Sequence, residues 1–208
     1  MAHALLPLDT QITACILTIS DVSEPAANYA ALNSLSCTIS SNSETFTYFL
    51  SQFALTALHH DQFTISHPHL PVSATSLYIL KKYLQSPPQM ADGTALRLHP
   101  GHTAALKSHL LSLLLLPPSP TTTPILQATT SLISLATAQL PSNCPTFLPI
   151  SEYPELLQFL LSNPTNATVL SLLNKMSSDN NNIFTQTINN PVDGESRWQN
   201  CSIEHADQ

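Results

Sequence analysis

Apolar residues recur at the three- and four-residue spacing of an α-helix along most of the chain up to about residue 178, and strict alternation over strand-length windows is hard to find. The pattern predicts an all-α protein. A first helix over 9–21 places Ile12, Ile16 and Ile19 on one face with Cys15 beside them. A second, 24–40, opens on Glu24-Pro25, because proline suits the first helical position and an acid the positive end of the macrodipole, and carries Leu32, Leu35 and Ile39. A third, 43–58, takes Ser43 as N-cap and Phe46, Phe49, Leu50, Phe53 and Ala57 as its core stripe. Residues 59–70 read as a polar, histidine-rich connection. Pro71 then opens a fourth helix to 85 with Val72, Leu77, Leu80 and Leu84 inward, followed by a long loop over 86–100. A fifth, 102–116, points Leu106, Leu110, Leu113 and Leu114 one way and is stopped by Pro117-Pro118. The sixth, 124–140, has Ile125, Ala128, Leu132, Leu135 and Ala136 on one stripe. A loop over 141–151 leads to the last two helices, 152–162 and 164–177.

Eight helices read as four pairs whose first members start near 9, 44, 102 and 152, a spacing like that of two-helix repeats of roughly 40–47 residues with loop insertions. Stacked pairs of this kind form a solenoid with one row of helices on a concave, protein-gripping surface. A compact helical bundle fits the same helix lengths, and no exact sequence repeat separates the two. From 178 to 208 the pattern stops. That segment is Asn-rich and carries Asp179, Asp193, Glu195, Glu204 and Asp207 against Arg197, the composition of a disordered acidic tail.

Composition narrows the function. Of 208 residues, 43% are hydrophobic but only 9% charged, so polarity comes from Ser, Thr, Asn, Gln and His. Three glycines against 17 prolines leave no phosphate loop or nucleophile elbow, since only glycine takes positive φ cheaply. A formal charge of −7 with six Lys and Arg gives no footprint for a nucleic-acid backbone or a membrane surface. The first nine residues lack the basic region of a signal peptide, and the apolar run over 110–116 is far shorter than the ~20 residues of a membrane span. A soluble intracellular protein is expected. Cys15, Cys37, Cys144 and Cys201 lie far apart, which predicts buried or free thiols and no zinc site.

Several stretches are similar to a known family. Leu77-Tyr78-Ile79-Leu80-Lys81-Lys82 resembles the leucine-lysine stretch of the second repeat in the N-terminal region of the importin-β (karyopherin-β) superfamily, transportin branch. LLSLLLLPPSP over 110–120, followed by Ile125-Leu126-Gln127-Ala128-Thr129 and Leu132-Ile133-Ser134-Leu135-Ala136, resembles the third repeat. Tyr153-Pro154-Glu155-Leu156-Leu157 and VLSLLNKM over 169–176 resemble the fourth. The match is best over 72–179 and looser back to Gln11. Departures are Leu126-Gln127 in place of the usual Ile-Arg pair, Tyr153 in place of Trp, thin charge throughout, and a length several times shorter than family receptors. The resemblance implies a HEAT-like repeat region over 9–177 that binds the GTP form of the small GTPase Ran in protein import into the nucleus, with cargo proteins or nucleoporins as further partners. It also implies that the second helix of each pair faces Ran. A helical-repeat scaffold without Ran binding is the alternative.

The chemistry-bearing residues read as structural. His59, His60, His67 and His69 cluster in the connection with only Asp61 as a nearby acid, which predicts polar loop residues. His102 and His109, with His99 just outside, read as helix-surface histidines with no carboxylate to orient them. Glu152 and Glu155 at a helix start are explained by the dipole. Neither a catalytic group nor a cofactor or metal is expected. The protein-binding surface is expected at polar positions of the second helices: Asn33, Ser34, Lys81, Lys82, Gln127, Thr130 and Ser134, placed by helix phase and resemblance together.

Overall fold

The computed structural model describes residues 8–137 except 91, 92 and 94, residue 148 and residues 152–189, with side chains through 178. Among the described residues the protein is all-helical. Its helices are α1 (Thr10–Ser20), α2 (Pro25–Ile39), α3 (Ser43–Leu58), α4 (His60–Ser66), α5 (Val72–Gln85), α6 (Pro100–Leu114), α7 (Thr123–Thr137), α8 (Pro154–Ser162) and α9 (Ala167–Asn189). An isolated antiparallel bridge joins Gln89 to Ala95, with Gly93 between them at φ 83°, a left-handed conformation that favours glycine.

Local signals account for most helix starts. Asp9 caps α1 by accepting hydrogen bonds from the backbone N–H groups of Gln11 and Ile12 at 2.9 and 3.0 Å. Pro25 and Pro100 stand in the first turns of α2 and α6. The N-cap of α3 is Asn42, not Ser43: its side-chain oxygen accepts from Thr45 N–H at 2.8 Å, while Ser43 is already helical. Ahead of α7, Thr122 and Ser119 exchange hydrogen bonds in a closed turn, Thr122 N–H to Ser119 Oγ at 3.1 Å and Ser119 N–H to Thr122 Oγ1 at 2.8 Å.

Two stretches depart from the sequence reading. The histidine-rich connection folds into α4, because Phe63 anchors it in the core and Thr64 and Ser66 back-bond to the carbonyls of His60 and Gln62, at 2.8 Å each. The last helix continues beyond 177 to Asn189, where the apolar period skips a turn and resumes at Ile183 and Phe184. Residues 190–208 of the expected tail, residues 138–140 of the expected sixth helix, Cys144 and Cys201 lie outside the described residues.

The expected stripes form one core. Ile12, Ile16 and Ile19 of α1 meet Leu35 and Ile39 of α2; Phe46, Leu50 and Phe53 of α3 meet Leu77, Leu80 and Leu84 of α5 and Leu106 and Leu110 of α6. Each such side chain gains about 1.5–3 kcal/mol by leaving water. α3 packs on α5 and α6, α5 on α7, and α7 on α9. α1 pairs with α2 and also touches α5.

Scarce charge and abundant hydroxyls have a common consequence in this core. Ser20, Thr47, Thr56, Ser76 and Thr129 are buried, and each hydroxyl donates to the carbonyl four residues earlier at 2.7–2.9 Å. A hydroxyl satisfied by its own helix needs no partner across the interface, so Ser and Thr pack here as small, nearly apolar residues.

Candidate protein-binding surface

The second helices α2 and α5 each present a solvent stripe set by helix phase. On α2, Leu35 and Ile39 turn inward, which leaves Asn33 and Ser34 exposed in line with Tyr29, 69% exposed one turn earlier, and Cys37 and Thr38 one turn later. On α5, burial of Ser76, Leu77, Ile79, Leu80, Tyr83 and Leu84 leaves Ala74, Tyr78, Lys81, Lys82 and Gln85 outside, spaced i, i+3, i+4 and i+7 from Tyr78. Tyr78 is also 69% exposed. Neither ammonium of Lys81 or Lys82 has an ion-pair partner among the described residues.

The two helices are tied by the hydroxyls of Ser36 and Tyr83, 3.0 Å apart. The Tyr83 ring packs edge-on against Phe46 of α3, centroids 6.4 Å apart. Burial raises the Tyr83 pKa despite the Ser36 hydrogen bond, so the phenol stays neutral and able to donate. The Cys15 thiol, pushed up by burial, sits between α1 and α2 with Sγ 3.6 Å from Ala31 O.

α7 contributes less than expected. Gln127 is exposed, but Thr130 is 4% exposed and Ser134 1%, so these two belong to the core and not to the surface. α7 is packed by α5, α6 and α9 and has little outward face. Thr130 Oγ1 donates to Gln127 O at 2.9 Å, which lets a polar residue be buried without a distant partner. Sequence phase missed Tyr29 and Tyr78, although the i, i+3, i+4 spacing of Tyr78 with the lysine pair was visible in the chain.

The histidines also sit differently. His109 is buried, 2% exposed, with Nδ1 3.0 Å from Ser51 O of α3, and burial lowers its pKa, with His59 lowering it further against the Ser51 hydrogen bond. His102 does have a carboxylate: its Nε2 lies 3.9 Å from Glu44 Oε1, and its ring packs 5.3 Å from that of Tyr48. Tyr48 in turn donates to Asp9 Oδ2 at 3.0 Å. His60 is buried with Nε2 3.2 Å from Asp61 Oδ1.

Lys107, on α6, donates to Glu152 O and lies over the Tyr153 ring, whose hydroxyl donates to Lys107 O. That contact fixes the start of α8. The end pair leaves Leu161 of α8, 80% exposed, and Leu170 and Leu173 of α9 facing solvent. No group of three or more His, Cys, Asp or Glu able to hold a metal occurs among the described residues, and no helix among them is long and apolar enough to cross a membrane. Searched against protein-family models, curated proteins and solved structures, the chain matches none of them.

Proposed function

We propose that the protein is a nuclear transport receptor-like helical-repeat protein that binds a Ran-type small GTPase in its GTP form through the outer stripes of α2 and α5. The observation that carries this reading is the exposed, unpaired Lys81-Lys82 step beside Tyr78, in a chain with six basic residues in all. Tyrosine is a residue type that anchors protein interfaces, and an exposed lysine pair beside it supplies charge that steers and orients a partner at the rim. The resemblance over 72–179 supports the assignment to an import receptor's N-terminal region. The packing order α5 on α7 on α9, with α3 on α6, fits two rows of a HEAT-like solenoid. Binding then discriminates nucleotide states because a stripe that touches a switch region gains contact only in the conformation held by the γ-phosphate.

The test is a titration of the full chain against the GTP- and GDP-loaded forms of Ran, repeated with Lys81→Ala/Lys82→Ala. The reading expects preference for the GTP form, and a loss of about 2–10-fold in the lysine variant, the effect of one or two exposed charge contacts. Equal or absent binding to both forms refutes it. A second reading, a scaffold for other proteins, is favoured by the burial of Thr130 and Ser134, which leaves α7 with Gln127 alone of its three expected contacts. It expects partner binding that is indifferent to nucleotide.

A further inference from the structure

We infer that the outer stripe of α2 and α5 receives an acidic segment of another protein, whose carboxylates are held by Lys81, Lys82 and the Tyr78 hydroxyl. This rests on the reading of the stripe as a protein-binding surface and adds the chemistry of the face it binds. Tyr78 has Lys81 and Lys82 as its i+3 and i+4 neighbours on α5, a spacing that puts Cβ atoms about 5–6 Å apart and the three side chains in one patch. All three are exposed, and neither ammonium has an ion-pair partner among the described residues. The macrodipole of α5 favours a cation in its last turn, where Lys82 stands, but leaves both ammonium groups open to a carboxylate.

Charge complementarity selects the occupant. α2, α5 and α7 hold no Asp or Glu, and Lys81 and Lys82 are the charged side chains on them. The acids of the other described helices are Glu44 on α3, Asp61 on α4, Glu155 on α8 and Asp179 on α9. Lys107 is engaged by Glu152 O and the Tyr153 ring, and Arg97 and Lys175 stand singly, so Lys81-Lys82 is the doubled positive site among the described residues. The chain's formal charge of −7 repels an anion at a distance. At physiological salt, however, the screening length is about 8 Å, so a segment seated on α5 meets the local charge. A protein segment fits this patch better than a phosphate polymer does. Polyanion affinity accrues with each phosphate neutralised, and two lysines neutralise few. Tyr29 and Tyr78, each 69% exposed, are of the residue type that anchors protein interfaces. The Ser36–Tyr83 hydrogen bond joins the two helices that carry them.

The experiment titrates the full chain, with no GTPase present, against a short oligo-glutamate peptide carrying an uncharged dye, read by fluorescence anisotropy. An oligo-glutamine peptide and an oligo-thymidylate of the same length are titrated alongside. Oligo-glutamate is expected to bind the native chain, to bind Lys81→Glu/Lys82→Glu about tenfold more weakly, and to change by less than about twofold in Lys175→Glu. Both lysines of the pair are exposed, so the reversal spares the core; far-UV circular dichroism checks this. Binding to the unaltered chain is also expected to be lost at about 1 M salt, where the screening length falls to about 3 Å, which keeps the test decisive even if a variant misfolds. Absence of oligo-glutamate binding overturns the inference, as does binding that survives the lysine reversal or the salt. Oligo-glutamine binding as tightly makes the occupant an uncharged segment, and oligo-thymidylate binding as tightly makes it a phosphate polymer; either result overturns the acidic protein segment. Oligo-glutamate binding without any response to Ran refutes the Ran reading alone, and GTP-dependent Ran binding without oligo-glutamate binding refutes this inference alone.

Discussion

The Ser36–Tyr83 hydrogen bond is the side-chain hydrogen bond that ties α2 to α5, and its removal tests the placement of the two stripes. Tyr83→Phe deletes the phenol oxygen and leaves the ring edge-on to Phe46. Ser36 is half-buried, so its hydroxyl recovers water when the phenol is gone, and the cost stays at the net worth of one neutral hydrogen bond, about 0.5–1.5 kcal/mol. Tyr83→Ala also empties the space against Phe46 and costs about 3–5 kcal/mol, as aromatic truncations in cores do. Against a total stability of roughly 5–15 kcal/mol, both are measurable by urea denaturation. The decisive form is a double-mutant cycle of Tyr83→Phe with Ser36→Ala, for which a coupling of about 0.5–1.5 kcal/mol is expected. Additivity within about 0.3 kcal/mol would mean that the Ser36 and Tyr83 hydroxyls do not meet in solution.

Three further outcomes follow from individual side chains. Burial lowers the pKa of His109 below 6.5, so the unfolded chain binds more protons as pH falls through 6.5. Stability is therefore full above that pH and declines below it, and His109→Gln flattens the decline between pH 7.5 and 5.0 in denaturant titrations; an equally steep profile in the variant removes His109 as the cause. Thr13 Oγ1 is the buried side-chain oxygen without a hydrogen-bond partner among the described residues, so Thr13→Val raises stability by about 0.5–1 kcal/mol, and a loss in thermal or urea unfolding contradicts its unpaired state. Asn42→Ala costs about 0.5–2 kcal/mol through the lost cap of α3, whereas Ser43→Ala costs less; the reverse order in equilibrium unfolding would return the cap to Ser43.

What the chain made legible was local and periodic. Ile12, Ile16 and Ile19, or Leu77, Leu80 and Leu84, repeat at helical spacing over a whole element, so their burial follows from the sequence alone. α4 was hidden because seven residues with one large anchor, Phe63, give too short a period to see. Thr130 and Ser134 were misread because hydroxyl side chains count as polar in any pattern, yet on a helix Thr130 bonds back to its own turn and needs no water. His109 was misread for a non-local reason: its partner, the Ser51 carbonyl, is 58 residues away, and only α3 against α6 brings them together. Lys81 and Lys82 were placed correctly on the outside because both neighbours in phase, Leu80 and Leu84, are strongly apolar.

The central claim is that the outer stripes of α2 and α5 are a protein-binding surface for a GTP-loaded Ran-type GTPase. Hydrogen exchange of the full chain with and without that partner reads this surface directly. The account predicts slowed exchange in peptides covering α2 and α5, with the change absent when the GTPase carries GDP and reduced by Lys81→Ala/Lys82→Ala. Protection confined to α8 and α9, where Leu161, Leu170 and Leu173 are exposed, or no protection anywhere in the chain, would contradict it.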